Sequence, residues 1–236
     1  GWASLPVIGE TWDGRLNDIH GHHVKRKHVF EALDGAQGGP VPEGNVGGGT
    51  GMVCHRFKSG IGTASRVTSS GYTLGAIVQA NYGRREDLTI AGVRVGRQLT
   101  DLIPEYERAN ATSEGNSILV VIATNAPLLP NQLRRLCNRV PLGIGRTGGY
   151  GANSSGDFFL AFSTAEIDTT ENEELRSVTM LNNASIDQLF LATVQATEEA
   201  ILNALVAAET MEGINGNIVP ALPMELVMGM LRSVSQ

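Results

Sequence analysis

The stretch Ser113-Glu114-Gly115-Asn116-Ser117-Ile118-Leu119-Val120-Val121-Ile122-Ala123-Thr124 decides how this chain is read. A polar segment from Glu105 to Asn116 meets an apolar run from Ile118 to Ala123, and Ser117 stands at the junction. The run is short, β-branched and followed by Pro127, which predicts a buried strand. Two readings of Ser117 stand side by side. In one it simply opens the strand. In the other the Asn116–Ser117 bond is cut, and Ser117 becomes a chain start with a hydroxyl and a free α-amine on one residue. An α-amine titrates at about 7.7–8.0, so it can act as base toward its own hydroxyl, as in N-terminal nucleophiles.

Downstream, Leu129-Pro130-Asn131-Gln132 predicts a helix start with proline in its first turn. Leu133, Leu136 and Val140 form its apolar stripe, with Arg134, Arg135 and Arg139 outside. Asn153 to Asp157 then leads into Phe158–Ser163, a second buried strand with a serine near its leading end. A strand–helix–strand of this length suits a layered α/β fold. Ser155 and Asp157 are two residues apart and share a side in extended chain. They either orient a neighbouring serine or form a plain turn.

Upstream, 62–69 and 74–80 read as strands joined at Ser70-Gly71, and 88–95 as another, broken at Gly92. Asn81, at a strand end, either offers its side-chain NH₂ to a developing oxyanion or closes a turn. Residues 5–9 read as a short strand. Glu10, Asp13 and Asp18 surround Trp12, as an anionic subsite with an aromatic wall for an ammonium group or as a solvent-facing turn. Residues 24–33 predict a helix ending at Gly35. The glycine-rich stretch 38–51 lacks the Lys-Ser/Thr of a phosphate-binding loop and suits a close backbone wall beside a pocket. Gly143-Ile144-Gly145-Arg146-Thr147-Gly148 follows a helix instead of a strand, which discards dinucleotide binding. The strongest helix is 187–209, with Glu198 and Glu199 at its middle either as catalytic carboxylates or as its polar edge, the second reading being preferred. An acidic loop at 166–176 precedes it, and a short helix near 226–231 ends the chain.

The 236 residues suffice for one large or two small domains. A net charge of −6, from 24 acidic and 18 basic side chains, argues against a general nucleic-acid binder. The basic cluster from His20 to His28 reads as a solvated turn. Cys54 and Cys137 make no disulfide framework and suit reduced thiols. No apolar run reaches about 18 residues, so no membrane span is expected. His20, His22 and His23 lack the spacing and supporting acid of a metal site, and no metal or other cofactor is expected.

The chain resembles the self-processing aminopeptidases that include L-aminopeptidase D-Ala-esterase/amidase and the β-peptidyl aminopeptidases. The resemblance rests on 6–18 (PVIGETWDGRLND), 44–66 (GNVGGGTGMVCHRFKSGIGTASR), 78–83 (VQANYG), 117–133 (SILVVIATNAPLLPNQL), 155–164 (SGDFFLAFST) and 192–209 (ATVQATEEAILNALVAAE), in family order. It implies a four-layer αββα sandwich, similar in layering to N-terminal-nucleophile hydrolases but differently connected. It implies one catalytic domain over 1–236, with 1–116 part of an α subunit and 117–236 the β subunit after self-cleavage between Asn116 and Ser117. An N-terminal part of the family domain is then expected to lie outside this sequence. Ser117 takes the place of the nucleophile, Asn81 of the oxyanion-hole asparagine, and Ser155 and Asp157 of the serine and acid beside the nucleophile. Glu10 matches the acid that binds the substrate amine and Trp12 the aromatic next to it. The implied substrates are small peptides, amides or esters with a free amine. A homo-oligomer of αβ units is implied, with no nucleic acid or membrane partner, and the location is left open between cytoplasm and periplasm. Two alternatives stay open: acyl transfer as in ornithine acetyltransferases, and an inactive processed binding or scaffold protein.

Overall fold

Two strands of opposite direction, β3 (Ile61–Val67) and β4 (Thr73–Asn81), form a hairpin that starts the main sheet. Ahead of them lie the helix α1 (Arg26–Asp34) and a two-stranded ribbon, β1 (Val53–Cys54) and β2 (Phe57–Lys58). After them come β5 (Ser117–Thr124), α2 (Pro130–Cys137), α3 (Val140–Arg146), β6 (Phe158–Ser163) and α4 (Asp187–Val206). The ribbon β7 (Met211–Glu212) and β8 (Ile218–Val219) and the helix α5 (Met224–Val234) complete the order. This computed structural model describes residues 6–105, 117–165 and 177–234. The acidic stretch 166–176 and Asn116 lie outside them.

The main sheet runs β3-β4-β5-β6, antiparallel up to β5 and parallel between β5 and β6. The parallel pair is joined through α2 and α3, as the strand–helix–strand pattern predicts. Gly71, at φ +84°, lets the β3–β4 connection turn tightly, with its N–H donated to Thr68 O. α2 starts at Pro130, where no N–H is needed, and Gln132 Oε1 accepts the Leu129 N–H at 3.0 Å.

Alternation in β4 and β5 sends Leu74, Ala76, Val78, Ala80, Ile118, Val120 and Ile122 to one face, where all are buried. α4 packs there with Leu189, Ala196, Ala200, Ile201, Ala204 and Leu205. The approach is close: a Cβ at Gly62 would fall 1.9 Å from Ala200 O. By length and composition alone α4 is the one helix among the described residues able to cross a bilayer, yet 56% of that window is buried inside the protein. Glu198 and Glu199 pair with Arg146 and Arg66, which makes them the polar edge expected.

The opposite face carries Ile77, Leu119, Val121, Leu160, Phe158 and Phe162, half-buried or exposed. Among the described residues no second large sheet covers it. β6 is therefore less buried than its composition predicts. Three further expectations change. Residues 6–9 form no strand. Residues 88–95 are a tight turn rather than a strand: Ala91 and Gly92, both at positive φ, join Ile90 to Val93, which exchange both backbone hydrogen bonds. The single helix predicted from Leu129 to Val140 is two helices, broken where Pro141 begins a second first turn.

Candidate active site

β4 ends and β5 begins side by side, and the register places Asn81 opposite Ser117. Both sit on the sheet face away from α4, the face of Ile77, Gln79, Leu119 and Val121. Ser117 is half-buried at the head of its strand. Asn81 is 1% exposed, and its carboxamide is held at both ends. Oδ1 accepts the Val53 N–H at 2.9 Å, and Nδ2 donates to Trp12 O at 2.8 Å. This fixes which end of the amide is the donor, and the donor end faces the segment around Trp12. Its second hydrogen has no partner among the described residues.

The third strand brings the serine–acid pair. β6 runs parallel to β5 with Leu119 level with Phe158, so Gly156, two residues ahead, comes level with Ser117. A Cβ at Gly156 would lie 3.0 Å from Ser117 Oγ. Ser155 Oγ donates to Asp157 Oδ1 at 2.5 Å, as their spacing predicts. Both are half-buried and line a cleft with about 320 Å³ of open space, walled also by Tyr82, Ile144, Gly149 and Tyr150. Gly149 is needed at that wall, since a Cβ there would fall 2.4 Å from Ile144 Cγ2.

The segment 9–12 crosses the same face. A Cβ at Gly9 would lie 3.1 Å from Leu119 Cδ2. Gln79 Nε2 donates to Thr11 Oγ1 at 2.6 Å, and Thr11 Oγ1 donates to Met52 Sδ at 2.7 Å. Trp12 is 42% exposed, with the Arg15 guanidinium 5.5 Å from its ring centre. Glu10 is exposed and makes no hydrogen bond or ion pair with a described residue. Asp13 and Asp18 do not join it: Asp13 accepts from Asn17 Nδ2, and Asp18 meets His23. The glycine-rich stretch is a backbone wall to this segment, since a Cβ at Gly51 would lie 2.8 Å from Asp13 Cβ.

Beneath the cleft several titratable groups are held neutral by burial. Burial pushes the Cys54 thiol up to about 12 and raises the Tyr82 phenol well above its ordinary value. Tyr82 Oη pairs with Thr147 Oγ1 at 2.6 Å. Burial lowers His55 to about 4, against the smaller opposing effect of the Arg84 carbonyl on Nδ1. Among the described residues no cluster of three or more His, Cys, Asp or Glu is placed to hold a metal ion. Cys54 and Cys137 are free thiols. Sequence reasoning missed the Val53 N–H and Gly156. A main-chain donor carries no residue-type signal, and the small residue between Ser155 and Asp157 was the available sign of a close approach.

The strand order, the helix layer and the serine where β5 begins describe a layered α/β fold similar to that of the N-terminal-nucleophile hydrolases. Among solved structures, L-aminopeptidase D-Ala-esterase/amidase from Ochrobactrum anthropi matches with a TM-score of 0.86 at 45% identity, over 95% of this chain and 61% of that chain. It is described as a prototype for the serine aminopeptidases and a new variant among the Ntn hydrolase fold. A beta-aminopeptidase from Burkholderia sp. matches with a TM-score of 0.82 at 48% identity, over 96% of this chain and 64% of that one. Beta-peptidyl aminopeptidase BapA of Sphingosinicella xenopeptidilytica is 50% identical over 232 residues, which is 93% of this chain and 58% of the relative. The family model of peptidase family S58 matches residues 1–219, and the chain belongs to that family. It spans about three-fifths of the length of the relatives it matches.

Proposed function

We propose that this chain carries the catalytic centre of a self-cleaving serine aminopeptidase, with Ser117 as N-terminal nucleophile. The observation that carries the reading is the placement of Asn81 and Ser117 opposite one another, where β4 ends and β5 begins. Family membership and relatives named as aminopeptidases support it.

In the first step Ser117 Oγ attacks the carbonyl of Asn116. The C–N bond breaks, an ester to Oγ forms, and the hydroxyl proton goes to the departing nitrogen. Water then hydrolyses the ester, leaving an Asn116 carboxylate and a Ser117 with free hydroxyl and amine. Residues 1–116 become part of the α subunit and 117–236 the β subunit. In turnover the Ser117 α-amine takes the hydroxyl proton as Oγ attacks the substrate carbonyl, returns it to the leaving amine or alcohol, and water then releases the acyl group from Oγ as a carboxylate. Asn81 Nδ2 donates to the oxyanion. Asp157 accepts the Ser155 hydroxyl and orients it, and in this reading Ser155 assists the proton transfer, Gly156 between them being the residue that approaches Ser117 Oγ. Glu10, with no partner among the described residues, pairs with the substrate ammonium, and the exposed Trp12 ring walls that subsite. The substrates are peptides, amides or esters with a free amine. The homo-oligomer of αβ units belongs to the same reading and rests on resemblance alone.

The test is the Ser117→Ala protein in the full-length chain. It stays one piece by intact mass and releases no p-nitroaniline from aminoacyl p-nitroanilides, while the wild type is cut at 116–117 and turns them over. A Ser117→Ala chain that still splits at this bond refutes self-cleavage.

A further inference from the structure

Lys58 sits on β2 with no exposed surface, and no described carboxylate pairs with it. A buried, unpaired ammonium is costly. Burial accordingly lowers Lys58 to about 7, and in the charged form its three hydrogens go to main-chain carbonyls: Gly49 O at 3.2 Å, Met52 O at 3.1 Å, and Ser59 O. Met52 O also accepts the Ser59 N–H at 3.1 Å, and Val53 is the direct strand partner of Lys58. The ammonium thus closes the turn from the glycine-rich wall into β1 at the point where the chain presents the Val53 N–H. That N–H is the group that holds Asn81 Oδ1. Thr11, the neighbour of Trp12, rests on the Met52 sulfur of the same turn.

We propose that Lys58 is a positioning residue for Asn81: by gathering the Gly49, Met52 and Ser59 carbonyls it fixes the turn whose Val53 N–H holds the carboxamide by Oδ1, leaving Nδ2 as the donor on the sheet face that Asn81 shares with Ser117. Lys58 touches no reacting atom in this arrangement and acts only through Val53. The inference rests on the aminopeptidase reading for its catalytic consequence, though not for its geometry. A methionine has nearly the same length and no hydrogen to donate, so Lys58→Met removes the three bonds without emptying the space.

The test is a double-mutant cycle in the full-length protein, read by kcat and KM on an aminoacyl p-nitroanilide, with a crystal structure of Lys58→Met. Lys58→Met is expected to lower kcat about 10²-fold, comparable to losing an oxyanion donor, while KM moves less than about threefold. Adding it to Asn81→Ala is expected to change kcat by less than about threefold, because the two act in series. In the crystal the Val53 N to Asn81 Oδ1 contact is expected to lengthen or the amide to turn. Multiplying effects in the double variant overturn the proposal, and so does an unchanged kcat. A Lys58→Met structure with that contact intact at 2.9 Å overturns it whatever the activity, so a wild type inert toward every aminoacyl amide sinks the peptidase reading without touching this one. If the methionine variant does not fold, Lys58→Gln, with two neutral donors, carries the same cycle and criteria.

Discussion

The two faces of the four-stranded sheet are built from similar side chains and live in different surroundings. Toward α4, Leu74, Val78, Ile118, Val120 and Ile122 are closed off from water. One residue along each strand, Ile77, Leu119 and Val121 are only half-buried, and Phe158 and Phe162 are 40% and 44% exposed. Every residue proposed to do chemistry at the strand heads lies on this second face or at its edge. The packed face sets the register and so decides that Asn81 meets Ser117. The open face is where the crossing segment around Trp12 reaches the Asn81–Ser117 end of the sheet, and where the proposed substrate would enter. An apolar strand run therefore reports two things at once, a core on one side and a working surface on the other.

That contrast can be broken or sharpened by measurement. The largest expected effect is on the packed face: Ile122→Ala costs about 2–5 kcal/mol of stability, read by denaturant unfolding, with little direct effect on the site. Next comes Asn81→Ala, expected to lower kcat about 10²–10³-fold in steady-state assays of the full-length protein. Acid is the third probe. His55 is neutral in the fold to about pH 4 and titrates at its ordinary value of 6.5 when unfolded. The unfolded state binds the extra proton first, so stability falls as pH drops from 6.5 to about 4 and then levels off. The loss is about 3 kcal/mol, and a His55→Gln protein that folds should lack that slope in pH-dependent melts. The smallest effect is Val121→Ala on the open face, below about 1 kcal/mol where a side chain is only partly removed from water. A cost matching that of Val120→Ala would mean this face is covered in solution, and the contrast between the faces would fall.

Much of this was legible in the sequence, for identifiable reasons. The β3–β4 hairpin, β5, β6 and α4 follow from alternation or three-to-four-residue spacing with glycine or proline at their ends. Ser155 and Asp157 meet as a two-residue step in extended chain requires. What failed were surroundings and turns. β6 read as buried because periodicity reports apolarity and is silent about what lies over a strand. Residues 88–95 read as a strand because Ala91 gives no sign that its φ turns positive beside Gly92. Asp13 and Asp18 read as companions of Glu10, and each instead found a local partner. Lys58, between Phe57 and Ser59, carries no mark of burial at all. Its setting arises from β1 and β2 folding back together, a pairing of two residues each, below what any pattern of spacing can register.

β5 is an interior strand, laced to β4 along one side and to β6 along the other. Opening the backbone just ahead of it would create two polypeptides without creating two bodies. β3 and β4 would belong to one product and β5 and β6 to the other, and their shared ladder would have to be unzipped before they could part. The newborn amine would arrive already clamped, spared the loss of freedom that a loose chain end suffers on docking.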